Sequence, residues 1–158
     1  MTEQQIWDAM IHHKFLQEMP RRHLQTLATG ASVVNLAPET FLCRQGQPAE
    51  SFFLILTGSI AIQSRELDPR GVRLQTVGPG EPVGWSWLIP PHRWQFDCQA
   101  LDTTQCLAFD AAWLRTRCEE DHDLGYHLLK RLVATISGRL TANRLASFQM
   151  NLENFKAL

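Results

Sequence analysis

Neither sign of charge dominates this chain: 15 Lys and Arg stand against 16 Asp and Glu in 158 residues. With no overall field to draw in nucleic acid or an anionic membrane, any positive site has to be local. No apolar run approaches the roughly 18 residues of a spanning helix, and the start, Met1-Thr2-Glu3-Gln4-Gln5, is polar and acidic. A cytoplasmic protein with no membrane partner is expected. The four cysteines, Cys43, Cys98, Cys106 and Cys118, include no C-x-x-C pair. Three of them sit among apolar or alternating residues and read as small buried hydrophobes, and reduced thiols fit a cytosolic home. A Ser/His/Asp order, paired carboxylates in an apolar setting, a P-loop and a dinucleotide fingerprint are all missing. Nothing supports a catalytic mechanism, so no enzyme activity is expected.

What is present is enough apolar sequence, 44% of the chain, for one core and one domain. Phe15, Leu16, Met19, Leu24, Leu27 and Ala28 recur near helical spacing, which predicts one or two amphipathic helices over residues 6–30, divided near Pro20. From Ala31 onward Gly and Pro cut the chain into strand-length pieces. Phe52-Phe53-Leu54-Ile55-Leu56 is apolar on both faces, Thr57-Gly58 follows as a turn, and residues 59–64 alternate. Val72–Leu74 and the set Phe96, Cys98, Ala100 against Gln95, Asp97, Gln99 also carry the two-residue period of half-buried strands. Many short strands predict a closed or sandwiched β unit. Asp110 is a candidate N-cap for a short helix through Leu114, and after the acidic run Glu119–Asp123 a long helix begins. Its stripe, Leu124, Leu128, Leu129, Leu132, Val133, Ile136 and Leu140, extends to Leu145, Phe148 and Leu152. A helix that long needs a partner, and a second copy of the chain is the simplest one.

The densest chemistry lies in Gly80-Glu81-Pro82-Val83-Gly84-Trp85-Ser86-Trp87-Leu88-Ile89-Pro90-Pro91-His92-Arg93-Trp94. A Gly-framed turn, a short apolar helix and an Arg/Trp pair are expected there, with the free amides of the helix start available to an anion.

The N-terminal helices, the block Gly46-Gln47-Pro48-Ala49-Glu50-Ser51-Phe52-Phe53-Leu54-Ile55-Leu56-Thr57-Gly58, the turn Val77-Gly78-Pro79-Gly80-Glu81 and Arg139-Leu140 together resemble the cyclic nucleotide-binding domain of the Crp/Fnr superfamily over nearly the whole chain. The resemblance implies an α+β fold: a double-stranded β-helix, a jelly-roll-like barrel over residues 31–109 with a phosphate-binding cassette at 78–100. Helices at 1–30 would precede it, and helices at 110–158, including a dimerisation helix, would follow. It also implies a regulatory sensor that binds a cyclic nucleotide or other anionic nucleotide and signals to a protein effector, as a homodimer.

In that family the cassette carries a Gly-Glu pair and, further on, an Arg; the Glu takes the ribose hydroxyl and the Arg takes the phosphate. Here Gly84 matches, but Trp85 stands at the Glu position and Trp94 at the Arg position, with Arg93 one residue early. A Trp offers one N–H donor and a large apolar face in place of a charge-assisted acceptor. Arg93 is the expected phosphate anchor, the amides from Gly84 to Ser86 its helpers, and Trp85, Trp87 or Trp94 the stacking surface. Asn143 and Arg144 align with the base contacts that the last helix supplies in such relatives. The alternative is a ligand-free adaptor whose pocket is filled by the tryptophans.

Two other readings carry little. Consecutive residues of the Glu119–Asp123 run cannot all converge on one ion, so no metal is expected there. His12, His13 and Cys43 could ligate a haem, but no attachment motif accompanies them. After Arg144 there is no room for a recognition helix with its support, and Asn151–Phe155 is not basic, so no direct DNA binding is expected.

Overall fold

Thr2 opens the fold with a capping box. Its hydroxyl accepts the Gln5 amide at 3.2 Å, and the Gln5 side chain accepts the Thr2 amide at 2.7 Å, so helix α1 (Glu3–His12) starts with two donors satisfied. The computed structural model describes residues 1–66 and 68–156, with side chains described as far as Met150.

A 3-10 turn, Lys14–Leu16, follows α1, and Pro20 then precedes α2 (Arg21–Gly30), the division expected near that proline. His13 between them is buried, with Nδ1 accepting the Phe15 amide at 3.3 Å and Nε2 donating to the Ile55 carbonyl at 3.0 Å. Those two partners require the neutral Nε2–H tautomer. Burial lowers the His13 pKa below its ordinary 6.5, against a smaller opposing pull from the Ile55 carbonyl. Both ring nitrogens are therefore committed to structure. His12 is exposed and Cys43 lies in a strand, so the three do not form a haem site.

The middle of the chain folds into β1 (Ala31–Leu36), β2 (Phe41–Cys43), β3 (Ser51–Thr57), β4 (Ile60–Ser64), β5 (Val72–Val77), β6 (Pro82–Val83), β7 (Asp97–Ala100) and β8 (Thr104–Asp110). They form two antiparallel four-stranded sheets, ordered β1-β8-β3-β6 and β2-β7-β4-β5. This is the expected jelly-roll barrel flanked by helices, an α+β fold. The register sets Phe53 opposite Ala108 and Leu54 opposite Leu107. β3 is apolar on both faces because both are covered. Phe52 packs with Phe15, Phe109 and Trp87 at ring separations of 5.6, 6.1 and 5.2 Å, while its neighbour Phe53 stacks on Trp94 at 6.3 Å.

One alternation reads differently in the structure. The period of β7 pairs Asp97 with the polar face, yet it is only 2% exposed. The Gln45 amide reaches it at 2.7 Å, and Arg65 and Arg44 approach at 3.1 and 3.5 Å. A buried carboxylate is tolerable when supplied with donors in this way.

Asp110 caps α3 (Ala111–Glu120), its Oδ1 accepting the Trp113 amide at 2.7 Å. Asp121 then caps the 35-residue α4 (His122–Lys156) through the amides of Asp123 and Leu124. Of the stripe on α4, Leu124, Leu128 and Leu132 are buried, whereas Leu129, Val133, Leu140, Leu145 and Phe148 are exposed together with Tyr126. The continuation of that stripe at Leu152 lies outside the residues whose side chains are described. No helix among the described residues is long and apolar enough to cross a membrane.

Candidate functional site

Strands β4, β5 and β7, the segment after β6 and one face of α4 enclose a pocket of about 270 Å³. Gly84, Trp85, Ser86, Trp94 and Asn143 line it, so the structure brings five of the expected residues together. Gly84 has φ of +73°, and a Cβ there would overlap the six-membered ring of Trp94. Glycine thus lets the indole lie across the backbone at the pocket edge.

Residues 85–90 are a run of turns and not the short helix expected. The Leu88 amide closes on the Trp85 carbonyl at 3.0 Å and the His92 amide on Ile89 at 3.0 Å, and Pro90 and Pro91 allow no continuation. The amides of Trp85 and Ser86, which line the pocket, donate to no group among the described residues, which keeps them available to a ligand.

Three of the expected residues lie elsewhere. Trp87 is fully buried against Phe52, with its carbonyl accepting Arg115; it fills the core behind the cassette. Arg93 is exposed and donates to the Gly46 carbonyl at 2.8 Å, in a different depression shared with Glu50, Asp110 and Arg115. The reason is parity: Arg93 bridges to Pro48 in an extended segment, where successive side chains point opposite ways, and Trp94 takes the inward side. Arg144 is exposed and does not line the pocket. Ile136, Arg139, Leu140 and Asn143 form the lining face of α4, and the next residue turns about 100° away.

The pocket's cation is Arg139, which sequence reasoning used only as a mark of resemblance. Its side chain is 9% exposed. Nη2 donates to the Pro82 carbonyl at 2.8 Å, Glu81 Oε1 lies 3.7 Å away, and Nε is buried with no partner. Burial pulls its pKa down while Glu81 pulls it up; a guanidinium remains charged in any case. Glu81 is itself held by the Gly78 amide at 2.8 Å, so a charged link joins α4 to the start of the cassette. The signal in the sequence was an Arg at helical spacing between Ile136 and Asn143.

The sequence profile of the family described as cyclic nucleotide-binding domain matches residues 33–121. No curated protein sequence matches the chain. Among solved structures, a candidate cyclic nucleotide-binding protein from Geobacter metallireducens GS-15 superposes with a TM-score of 0.74 at 19% identity, covering 89% of this chain and 98% of that one. A cyclic nucleotide-binding domain from Methylobacillus flagellatus KT gives 0.74 at 18% identity, with 89% and 79% covered. The c-di-GMP responsive global regulator CLP of Xanthomonas campestris gives 0.71 at 17% identity, with 84% and 65% covered. The structural likeness is one of fold, and the profile covers more than half of the sequence: the chain belongs to the cyclic nucleotide-binding domain family.

Proposed function

We propose that residues 1–158 work as one non-enzymatic sensor domain that binds a single small, anionic, nucleotide-like ligand between the barrel and α4. Arg139 carries this reading. A nearly buried guanidinium with an orphaned Nε beside an open pocket leaves a donor that an anionic oxygen would satisfy; a buried polar group without a partner costs about 1–3 kcal/mol. The free amides of Trp85 and Ser86 offer a second set of donors. Trp85, Trp94 and Phe96 supply planar faces for a base. The volume lies just below the roughly 300–1,000 Å³ usual for small-molecule sites, which favours a mononucleotide over a larger ligand.

Signalling follows from the link to Glu81 and Pro82. A phosphate that draws the guanidinium off those oxygens favours one position of α4 over another, a population shift set by the ligand's differential affinity. The output is a protein partner, reached through α4, rather than DNA. Titration calorimetry with cyclic mononucleotides, cyclic dinucleotides and linear nucleotides tests this. One ligand per chain is expected, and Arg139→Met should weaken it by about 1.5–3 kcal/mol, the scale of a hydrogen bond to a charged group. Methionine of similar length keeps the fold, since replacing a buried ion by an apolar side chain is often neutral. Equal affinity in the variant would remove Arg139 from the site, and no binding by any nucleotide at about 1 mM would favour the adaptor reading.

The exposed residues Tyr126, Leu129, Val133 and Leu140 follow one another at helical spacing, and we assign this face of α4 to contact with a second copy. Ile136, which faces the pocket, is less suited to test it. Val133→Glu is expected to turn a dimer into a monomer in sedimentation velocity while leaving the far-ultraviolet spectrum unchanged; an unaltered sedimentation coefficient would exclude this seam.

A further inference from the structure

We propose a second site, for a divalent transition-metal ion, built by His23 of α2 with Asp123 and His127 of α4. One ligand atom from each residue lies within 4.8 Å of the others. His23 Nε2 is 2.7 Å from Asp123 Oδ2, and His127 Nε2 is 3.9 Å from Asp123 Oδ1. Asp123 and His127 stand four residues apart on one helix face, while His23 comes from a helix a hundred positions earlier in the chain, so no local motif announces the set. Two imidazoles and a carboxylate suit a borderline ion such as zinc, with the fourth position left to water. Tetrahedral ligands about 2.0–2.1 Å from zinc lie about 3.3 Å apart, between the two separations observed. The two separations end on different carboxylate oxygens, so loading requires the Asp123 carboxylate to turn and bring one oxygen within reach of both imidazoles.

The observation that points to an ion is the state of His23. Its side chain is fully buried, and Nδ1 has no hydrogen-bond partner. In the hydrogen-bonded arrangement Nε2–H donates to Asp123, which leaves Nδ1 a bare lone pair facing Asp121 Oδ2 at 3.5 Å. An ion on Nε2 requires the other tautomer, with the ring's single proton on Nδ1, aimed at Asp121. The result is the carboxylate–histidine–metal arrangement in which an outer acid orients the ligand. A second proton on the ring would also satisfy Nδ1, and metal titration separates the two.

Two cations border the cluster. Arg22 pairs with Asp123, but its side chain is 65% exposed and free to withdraw into solvent. Arg131 Nη1 lies 3.3 Å from His127 Nδ1 and 3.0 Å from the His127 carbonyl; on loading, Nδ1 carries the proton and Arg131 keeps the carbonyl. A loaded site ties α2 to the base of α4 by coordinate bonds, about 18 Å along the helix from Arg139.

The test uses metal-free full-length protein, titrated with Zn²⁺ against a chromophoric chelator and with Co²⁺ followed by its visible absorption. One ion per chain and the intense Co²⁺ bands of a four-coordinate site are expected. His127→Gln and Asp123→Asn should each weaken binding at least tenfold, and Asp121→Asn by about 10–100-fold. His122→Gln, next to the cluster but outside it, should change nothing. No ion bound at about 100 μM Zn²⁺, a six-coordinate Co²⁺ spectrum, or equal affinity in both His127→Gln and Asp123→Asn would overturn the site.

Discussion

Trp87→Ala is expected to lower the unfolding free energy by about 3–5 kcal/mol, the range for deleting a large aromatic from a core. The indole is fully buried and sits 5.2 Å from the Phe52 ring, in a cluster that also contains Phe15 and Phe109. Its removal takes packing directly from Phe52 of β3, the ring that joins Phe15 and Phe109 to the cluster. Set against a domain stability of about 5–15 kcal/mol, this removes from about a fifth to nearly all of it. Trp87→Phe isolates the cause. Trp87 Nε1 is buried without a partner, so phenylalanine gives up no hydrogen bond and the loss should stay below about 1.5 kcal/mol. Urea denaturation of both variants measures the difference, and a small loss in Trp87→Ala would place the indole outside the core.

The second large effect separates two glycines that look alike in sequence. Gly46 and Gly58 both have positive φ, +86° and +83°, a conformation that costs a non-glycine residue about 1–2 kcal/mol. A Cβ at Gly46 meets nothing within 4 Å, whereas at Gly58 it meets the Thr103 carbonyl and the Thr104 Cα at 2.6 Å. Backbone cannot swing aside as a side chain can, so overpacking adds about 1–3 kcal/mol at Gly58. Gly46→Ala should therefore cost about 1–2 kcal/mol and Gly58→Ala about 2–5 kcal/mol, read as separated midpoints in thermal denaturation. Equal midpoints would mean that the Gly58 turn yields without resistance.

The same pair shows why the fold was legible in the sequence. Two glycines at fixed offsets around a doubly apolar strand allow few architectures, and Asp110 and the acidic residue at 121 mark helix starts by chemistry that acts within three residues. The pocket was legible in part. Gly84, Trp85, Ser86 and Trp94 are near one another in sequence, and Asn143 was reached through the helical spacing of a resemblance. Trp87 and Arg93 went astray because direction within a turn or an extended bridge depends on parity, which composition does not reveal. Arg139 was hidden by its own setting, since a cation in an apolar stripe reads as one solvated residue until the barrel is seen to cover it. His23, Asp123 and His127 meet only through the packing of α2 on α4, a long-range event with no local spacing.

α4 passes through three environments in turn. Leu124, Leu128 and Leu132 hold its first turns in the core, Ile136 to Asn143 wall the pocket, and Leu145 to Met150 stand in solvent. At 35 residues and about 1.5 Å per residue, the rod is about 52 Å long. If α4 pivots near Leu128, as the proposed signalling requires, a sideways displacement of about 1 Å at Arg139 becomes about 2.5 Å at Lys156, by the ratio of the two arm lengths. Under the proposed function the gain resides in the helix length beyond the pocket, so shortening that arm is expected to reduce the stroke at its end and leave the affinity of the proposed pocket unchanged.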